Sequence, residues 1–382
     1  MPRVPEHLLV SRVADQLVVK RQSSEYIRDS AIVIKMLAAG VCGTDLAMIG
    51  GARSCRAEVL GHEGVGVVVS CPENSGVSKG ARVIINPVHR KQPELVIGHS
   101  QDGVFSEVFC LETTDAVQGG LLVECRKECS IRNADLALAE PIASVLYSFE
   151  LLREKRNAAS LLIRGSGTIG VLAAKMWSTF DGSSTVLVSK SEEHARWLRQ
   201  ACHWPENVRV CSIEGSHAIA EAGAIAGFDS AILCCSRHDA PQGLHFLMDS
   251  VRECATVDLM AGFPAEYKEG RLGGVALDRI RWNNICGLQS GPATSAVDQG
   301  TGKTLNLVGH RGTSERHILQ AVELLSRGTI SLADLPHRLL SLEELPAAVS
   351  DMLSTNTRHN TKWIKAIVAF PQKDFGEANG RG

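Results

Sequence analysis

Four side chains within the first 140 residues could together bind a transition metal. They lie in the segments GVCGTD, GHEGVG and LAEP, and they are Cys42, His62, Glu63 and Glu140. Thiolate, imidazole and carboxylate groups are ligands that zinc accepts, and a catalytic zinc takes three protein ligands and keeps one position open for water or substrate. A cysteine in an apolar turn, or a single histidine beside glycine, is more often a buried structural residue. Only the combination of these residues indicates a metal site.

A glycine-rich segment, GSGTIG at residues 165–170, matches the pattern G-x-G-x-x-G. The apolar run SLLIR precedes it and VLAAKMW follows it, so a strand leads into a helix whose N-terminus can bind a nucleotide pyrophosphate. Gly165 would permit the tight turn, Gly167 the close approach of backbone to phosphate, and Gly170 the packing of helix on sheet. The predicted cofactor-binding residues here are Gly165, Gly167, Thr168, Ile169 and Gly170. A glycine-rich turn in another kind of α/β protein is the alternative.

The choice of nucleotide should depend on the end of the second strand, where an acidic residue would accept hydrogen bonds from the adenosine ribose. The strand TVLVSK ends instead in Ser189 and Lys190, and the first acid after it is Glu192. A hydroxyl and a cation suit a 2′-phosphate, so these two residues favour NADP(H) over NAD(H). The alternative is that Lys190 is an ordinary solvated lysine in a loop.

The elements that must position these residues change in character along the chain. The first third contains short β-branched runs broken by glycine and proline, such as AIVIKML and VGVVVS, which are typical of an antiparallel barrel or sandwich. From about residue 158, apolar strands alternate with helical stretches, which predicts a parallel sheet with crossover helices. A helix over 137–154 should join the two parts, and the pattern changes again after residue 290.

Composition excludes several classes of protein. The formal net charge of -2 gives no cluster of cations for a nucleic-acid partner, and no apolar run reaches the roughly 18 residues of a membrane span. The first residues carry no signal-peptide pattern, and the twelve cysteines are scattered singly, which suits a reducing compartment. We therefore expect a soluble, cytoplasmic protein with no nucleic-acid or membrane partner.

The order and spacing of GVCGTD, GHEGVG, the Glu-Pro helix start, GSGTIG and the last strand resemble those of the zinc-dependent medium-chain dehydrogenase/reductase family, which includes alcohol and polyol dehydrogenases. The resemblance covers nearly the whole chain. It implies an α/β fold in which a Rossmann domain with a doubly wound parallel sheet, residues 151–290, is inserted into a GroES-like β-barrel catalytic domain, residues 1–150 and 291–382. It also implies homodimers or homotetramers.

The same resemblance assigns roles to individual residues. Cys42 and His62 would bind zinc, Glu140 would occupy the third ligand position, and Glu63 would bind the metal or exchange with its water. Thr44 would pass the substrate proton towards the cofactor ribose. The next proton carrier in many alcohol dehydrogenases is a histidine, and that position is Ala47 here.

The C-terminal strand and a missing cysteine lobe complete the comparison. Lys365 in KWIKAIVAF would contact the cofactor pyrophosphate, with an exposed lysine at a strand end as the alternative. The stretch NPVHRKQPELVIGHSQDG lacks the four cysteines of the family's structural zinc lobe, and Cys125 and Cys129 are too sparse to replace them. We expect one catalytic zinc and no structural zinc. His89 and His99 in this stretch are interpreted as loop residues, with side chains that face the active-site cleft as the alternative.

These features predict a zinc-dependent oxidoreductase that transfers hydride between NADP(H) and a secondary alcohol or ketone of a polyol, sugar or cyclitol. The substrate class follows from Glu140 and Pro141, because polyol dehydrogenases have this pair at the third ligand position. Arg311 could bind an anionic substrate group, or could belong to a surface or interface loop. Two alternatives remain, a zinc-free NADPH-dependent quinone or alkene reductase of the same superfamily and a non-catalytic nucleotide-binding module.

Overall fold

The computed structural model describes residues 3–14, 16–125, 130–154, 159–181, 184–215, 227–264, 267–289, 291, 293–354 and 362–371, so Cys129 lies outside the described residues. The chain divides into two compact units. Unit 1 comprises Met1–Leu138, Arg338–Leu353 and Ala366–Gly382, and unit 2 comprises Ala139–His337 and Ser354–Lys365. Among the described residues, no helix has the length and apolar character that a membrane span requires.

Unit 1 is built mainly from antiparallel strands. Numbered in chain order over both units, its strands are β1 (Arg3–Val4), β2 (His7–Val13), β3 (Gln16–Gln22), β4 (Glu25–Tyr26), β5 (Ala31–Val41), β6 (Glu63–Ser70), β7 (Arg82–Ile85), β8 (Val108–Glu112), β9 (Leu122–Glu124), β19 (His337–Leu340) and β20 (Lys365–Ala369). Its helices are α1 (Gly43–Ile49), α2 (Thr113–Gly119), α3 (Asn133–Leu136) and α10 (Leu345–Leu353). The main sheet has the order β19-β20-β5-β6-β7-β9, and β8 also pairs with β5.

The central strand β5 is buried along almost its whole length, as expected from its sequence AIVIKMLAAGV, in which Lys35 is the one charged residue. It runs antiparallel to β6, with Gly40 opposite Glu63. The residue that follows β5 and the residue that precedes β6 therefore meet at the same edge of the sheet. This register brings Cys42 beside His62, although 19 positions separate them in the chain.

Unit 2 contains a seven-stranded sheet of order β12-β11-β10-β13-β14-β18-β17, in which only the edge strand β17 is antiparallel to its neighbour. The strands of unit 2 are β10 (Ser160–Arg164), β11 (Ser184–Ser189), β12 (Val208–Ser212), β13 (Phe228–Leu233), β14 (Val251–Asp258), β15 (Asn284–Ile285), β16 (Leu288–Gln289), β17 (Thr294–Val297) and β18 (Thr304–Val308). The helices are α4 (Ala139–Arg153), α5 (Thr168–Asp181), α6 (Glu192–Ala201), α7 (Ala240–Ser250), α8 (Leu277–Ile280) and α9 (Glu315–Ser326), with 3-10 turns at Gly270–Leu272, Arg281–Asn283 and Leu332–Asp334.

Helix α5 shows how the apolar sequence after the glycine turn positions that turn. Val171, Leu172 and Trp177 are completely buried. Burying a leucine-sized side chain contributes roughly 1.5–3 kcal/mol. Because the helix packs on the sheet through such side chains, its N-terminus is held at the carboxyl end of β10.

The predicted α/β fold class, with a doubly wound parallel sheet beside a separate β-rich part, is confirmed. The predicted domain boundary at residue 290 differs from the boundary of unit 2, which continues to His337. The physical reason is strand pairing, because β18 lies parallel to β14 with Thr256 opposite Asn306. Residues 294–308 therefore extend the parallel sheet and do not return to the first unit.

Candidate functional site

The structure brings three of the four predicted metal ligands together in unit 1. One ligand atom each from Cys42, His62 and Glu63 all lie within 4.8 Å of one another. His62 and Glu63 are buried, with 6% and 2% of their surface exposed, and Cys42 is half-buried. The partial exposure of Cys42 is compatible with access of a further ligand to the cluster. The cluster thus fits a metal that keeps an open coordination position.

Another acidic residue, Asp45, contacts residues of this cluster and is completely buried. Its Oδ2 accepts a 2.8 Å hydrogen bond from the backbone N–H of Cys42, and its Oδ1 accepts one of 3.3 Å from Gly61 N–H. The same Oδ1 lies 3.3 Å from Nδ1 of His62, an electrostatic contact that is not aligned as a hydrogen bond. Asp45 therefore connects both segments that carry the ligands.

The sequence analysis missed Asp45, although GVCGTD contains a signal for it. Cys42 is the N-cap of α1, its Sγ accepts from Thr44 N–H at 3.5 Å, and Asp45 closes the capping box from the third helical position. An acid three residues after an N-cap is an ordinary helix start. Its second role towards His62 becomes visible only when the strand register is known.

The charges around His62 favour a cation. Burial opposes protonation of its imidazole, but the neighbouring Asp45 and Cys42 outweigh burial and raise the pKa of His62 well above its ordinary value. Anionic groups that hold a proton this firmly at a buried site would also stabilise a divalent cation there, which then competes with the proton for the ligands. The residues present thus fit a zinc ion.

Glycine is required where the chain enters GHEGVG. Gly61 has φ +91°, and a Cβ there would lie 2.7 Å from the ring of Phe105. Gly103 packs from the other side, because a Cβ on it would lie 2.1 Å from the carbonyl oxygen of Gly61. This tight packing fixes the backbone just before His62, and with it the direction from which the imidazole enters the cluster.

The remaining predicted residues of the metal site have different surroundings. Thr44 is half-buried in the first turn of α1, two residues after Cys42. Glu140 lies in the first turn of α4 in unit 2, where Ser144 Oγ donates a 3.4 Å hydrogen bond to its Oε1. The cluster within unit 1 therefore does not include Glu140, and its role as the third ligand stays a prediction.

Two histidines that were interpreted as loop residues do lie in loops, but they differ in environment. The ring of His99 lies 4.8 Å from the ring of His62 in an edge-to-face arrangement. His89 is buried elsewhere, and its Nδ1 accepts a 3.0 Å hydrogen bond from Gln92 N–H. His89 thus stabilises its own loop, whereas His99 packs against a predicted metal ligand.

The glycine turn in unit 2 has the geometry that a nucleotide phosphate needs. Gly165 has φ +129°, and a Cβ there would lie 2.5 Å from the carbonyl carbon of Cys234. A Cβ on Gly170 would lie 1.8 Å from the carbonyl oxygen of Gly165, so only glycine lets α5 begin this close to the turn. Gly167 is exposed with no atom within 4 Å of a Cβ. Open space beside Gly167 at a helix N-terminus suits a pyrophosphate.

The other motif residues tie this turn to its surroundings. Thr168 Oγ1 donates a 3.0 Å hydrogen bond to the carbonyl oxygen of Ile364, and Ile169 is half-buried. Lys365, the next residue in the chain, is completely buried, so the alternative of an exposed lysine at a strand end is wrong. Thr168 therefore fixes the start of the last strand against the nucleotide motif.

The two residues predicted to select NADP(H) already have partners. The Ser189 hydroxyl is buried and accepts a 3.0 Å hydrogen bond from Ser166 Oγ. Lys190 Nζ lies 2.8 Å from Oδ1 of Asp239, a residue that the sequence analysis did not single out. In a different part of unit 2, the guanidinium of Arg311 lies 4.6 Å above the ring of Trp282.

Known proteins are similar to part or nearly all of this chain. Residues 28–120 match the model of the alcohol dehydrogenase GroES-like domain. D-xylulose reductase from Saccharomyces cerevisiae is 26% identical over 227 residues, and the match covers 52% of this chain and 61% of that protein. An uncharacterized zinc-type alcohol dehydrogenase-like protein from Haemophilus influenzae is 22% identical over 372 residues, which is 93% of this chain and 96% of the relative.

Solved structures share the fold over the whole length. A zinc-binding dehydrogenase from Sinorhizobium meliloti, bound to NADP, superposes with a TM-score of 0.68 at 19% identity and covers 95% of this chain and 99% of its own. The matching GroES-like domain, the parallel sheet and the zinc-type relative agree with the resemblance in the motifs. Residues 28–120 thus match a GroES-like domain of the alcohol dehydrogenase type, and the chain as a whole resembles the medium-chain dehydrogenase/reductase family.

Proposed function

We propose that this protein is a zinc-dependent oxidoreductase that transfers hydride between NADP(H) and a secondary alcohol or ketone of a polyol, sugar or cyclitol. The observation that carries the proposal is the buried cluster of Cys42, His62 and Glu63, backed by Asp45. A zinc ion bound there acts as a Lewis acid, which polarises a carbonyl or lowers the pKa of an alcohol. The alcohol dehydrogenase-like relatives support the reaction class.

The residues of this chain would have the following roles. Cys42, His62 and Glu140 would bind the metal, and Glu63 would be a further ligand or would exchange with the metal's water. Asp45 fixes His62 by accepting from the backbone on both sides of the cluster. Outer groups of this kind usually orient a metal-binding histidine. The Thr44 hydroxyl, next to Cys42 in α1, would hold the substrate proton.

Nucleotide binding would use the glycine turn of unit 2. Gly165, Gly167 and Gly170 shape the backbone, and the N-terminus of α5 meets the pyrophosphate. Ser189, Lys190 and Lys365 would complete the site, and the NADP-bound relative supports a nicotinamide dinucleotide as cofactor. The proposed arrangement is a GroES-like catalytic domain with an inserted Rossmann domain, assembled into homodimers or homotetramers.

The substrate class is the most specific part of the proposal. It is supported by D-xylulose reductase among the relatives and by the Glu140-Pro141 pair at the start of α4. A sugar or cyclitol has adjacent hydroxyls that can reach both a metal and nearby carboxylates. Turnover of a panel of polyols and their ketones with NADPH and NADH would identify the substrate.

Elemental analysis of the purified protein tests the metal. We expect about one zinc per chain in the parent protein and its loss in a Cys42→Ala variant. Cys71→Ala is the matched control, because Cys71 is also half-buried in unit 1 but lies outside the cluster, and its Sγ contacts the carbonyl oxygen of Val77. A parent protein without zinc would instead favour the zinc-free reductase or the non-catalytic nucleotide-binding module.

A further inference from the structure

We propose that Asp239 limits the preference of this protein for NADP(H) by pairing with Lys190, the cation that would otherwise bind the 2′-phosphate. The inference rests on the proposed nicotinamide dinucleotide site and adds a residue that determines its specificity. Asp239 lies 49 positions after Lys190 and belongs to neither the glycine motif nor the second strand.

The topology of unit 2 brings the two residues together. Lys190 follows β11 and Asp239 follows β13, and these strands are the two neighbours of β10 in the parallel sheet. In register, Arg164 at the end of β10 is opposite Val188 on one side and Leu233 on the other. The Lys190–Asp239 pair therefore connects the two loops that flank the glycine turn, at the sheet edge where nucleotides bind in such folds.

Asp239 is the fixed member of the pair. Its Oδ2 accepts a 2.8 Å hydrogen bond from Ser236 Oγ, and its backbone N–H donates to the Ser236 carbonyl at 3.0 Å. Its side chain is 19% exposed, whereas that of Lys190 is 69% exposed. Burial tends to raise the pKa of Asp239, but Lys190 and Ser236 lower it below its ordinary value. The carboxylate is thus held, and charged at neutral pH, while the lysine can move.

The two forms of the cofactor respond differently to this charge. A 2′-phosphate carries close to two negative charges, so it gains from Lys190 but must compete with Asp239 and is repelled by it. A ribose 2′-hydroxyl has no charge and can donate a hydrogen bond to a carboxylate. Removal of the Asp239 charge should therefore strengthen binding of a 2′-phosphate and leave binding of an unphosphorylated ribose nearly unchanged.

Calorimetric titration with 2′,5′-ADP and with 5′-AMP tests this without any turnover. We expect Asp239→Asn to bind 2′,5′-ADP about three- to fivefold more tightly, which is the upper end of the effect of an exposed charge pair, and to bind 5′-AMP within about 1.5-fold of the parent. Asparagine keeps the acceptor for Ser236, and the Asp239 side chain makes no hydrogen bond that caps α7. In a Lys190→Ala background, the same substitution should give a clearly smaller gain, because only the direct repulsion by Asp239 is then removed and no lysine is freed.

The matched control is Asp249→Asn. Asp249 likewise pairs with a cation, Arg271, and lies at the other end of α7, about 15 Å along the helix at 1.5 Å per residue. It should change neither affinity. Equal gains for both ligands, a gain that is undiminished without Lys190, or no gain would overturn the role of Asp239. A parent protein that binds neither ligand would overturn the nucleotide site itself, and with it the proposed function.

Discussion

Asp258, at the carboxyl end of β14, should make the stability of unit 2 depend on pH. The side chain is completely buried, and Ser148 Oγ on α4 donates a hydrogen bond to its Oδ2. Burial raises the pKa of this acid from its ordinary value of 3.8 to about 7, although Ser148 and the nearby positive charge of Arg281 act in the opposite direction. In the folded protein the carboxyl group is therefore neutral over most of the acidic range.

The direction of the pH effect on stability follows from whether Asp258 holds a proton in the folded and in the unfolded state. Between pH 3.8 and about 7, the unfolded chain has lost the Asp258 proton while the folded chain keeps it, so stability falls as pH rises. One pKa unit corresponds to about 1.4 kcal/mol, and the whole interval to about 4 kcal/mol. Asparagine has nearly the same shape and never ionises. We expect Asp258→Asn to match the parent near pH 4 and to be about 4 kcal/mol more stable at pH 8.

Urea denaturation at several pH values between 5 and 8 measures this difference. All five tryptophans of the chain lie in residues of unit 2, so their fluorescence reports the unit that contains Asp258. Between pH 5 and pH 7 the gap between variant and parent should widen by about 2.5 kcal/mol. Parallel pH profiles for the two proteins would refute the reasoning, since they would mean that Asp258 titrates alike in the folded and unfolded states.

Three further substitutions test the two sites directly. Asp45→Asn should lower zinc affinity about 10- to 100-fold, measured by competition with a chromophoric chelator. The reason is that the amide NH2 would point at a backbone N–H group where a carboxylate oxygen now accepts its hydrogen bond. Unchanged zinc affinity would contradict the proposed role of Asp45 in orienting His62. Gly167→Ala should fold normally but bind 2′,5′-ADP more weakly, since its methyl group enters open space beside the helix start. Gly170→Ala should lose stability, by about 1–3 kcal/mol or more, because its methyl group would meet the Gly165 carbonyl. Equal effects of the two alanines on stability would contradict this distinction.

The metal cluster shows which features of a site can be predicted from the sequence. Ligand types and the apolar strands around them were readable, because AIVIKML and VGVVVS have the composition of buried strands. The contribution of Asp45 was not readable, because it depends on Gly40 lying opposite Glu63, and register is a property of strand pairing. A helix-capping acid became part of a candidate metal site only through that pairing.

In unit 2, too, contacts between residues distant in the chain could not be predicted from the sequence. The alternation of strands and helices was sufficient to predict a parallel sheet, but the 3-10 turns and the short hairpin between β14 and β18 interrupt this alternation. The change of pattern after residue 290 was therefore interpreted as the end of the domain, although β18 pairs with β14. The partner of Lys190 was hidden for a related reason, since Asp239 meets it only because β11 and β13 flank one strand.

The two candidate sites favour ligands of opposite charge. In unit 1, Asp45 and Glu63 are buried beside a cysteine and a single histidine, and buried carboxylates are costly unless a positive charge or hydrogen bonds compensate them. Protonation of His62 supplies one positive charge, whereas a divalent cation supplies two and uses the same ligand atoms. In unit 2, backbone groups contact the glycine turn, the buried cation Arg164 precedes it, and the nearby charges of Lys190 and Asp239 cancel. The first site therefore gains most from a small cation. The second can accept a large anion while its charged pair adjusts the preference between two forms of that anion.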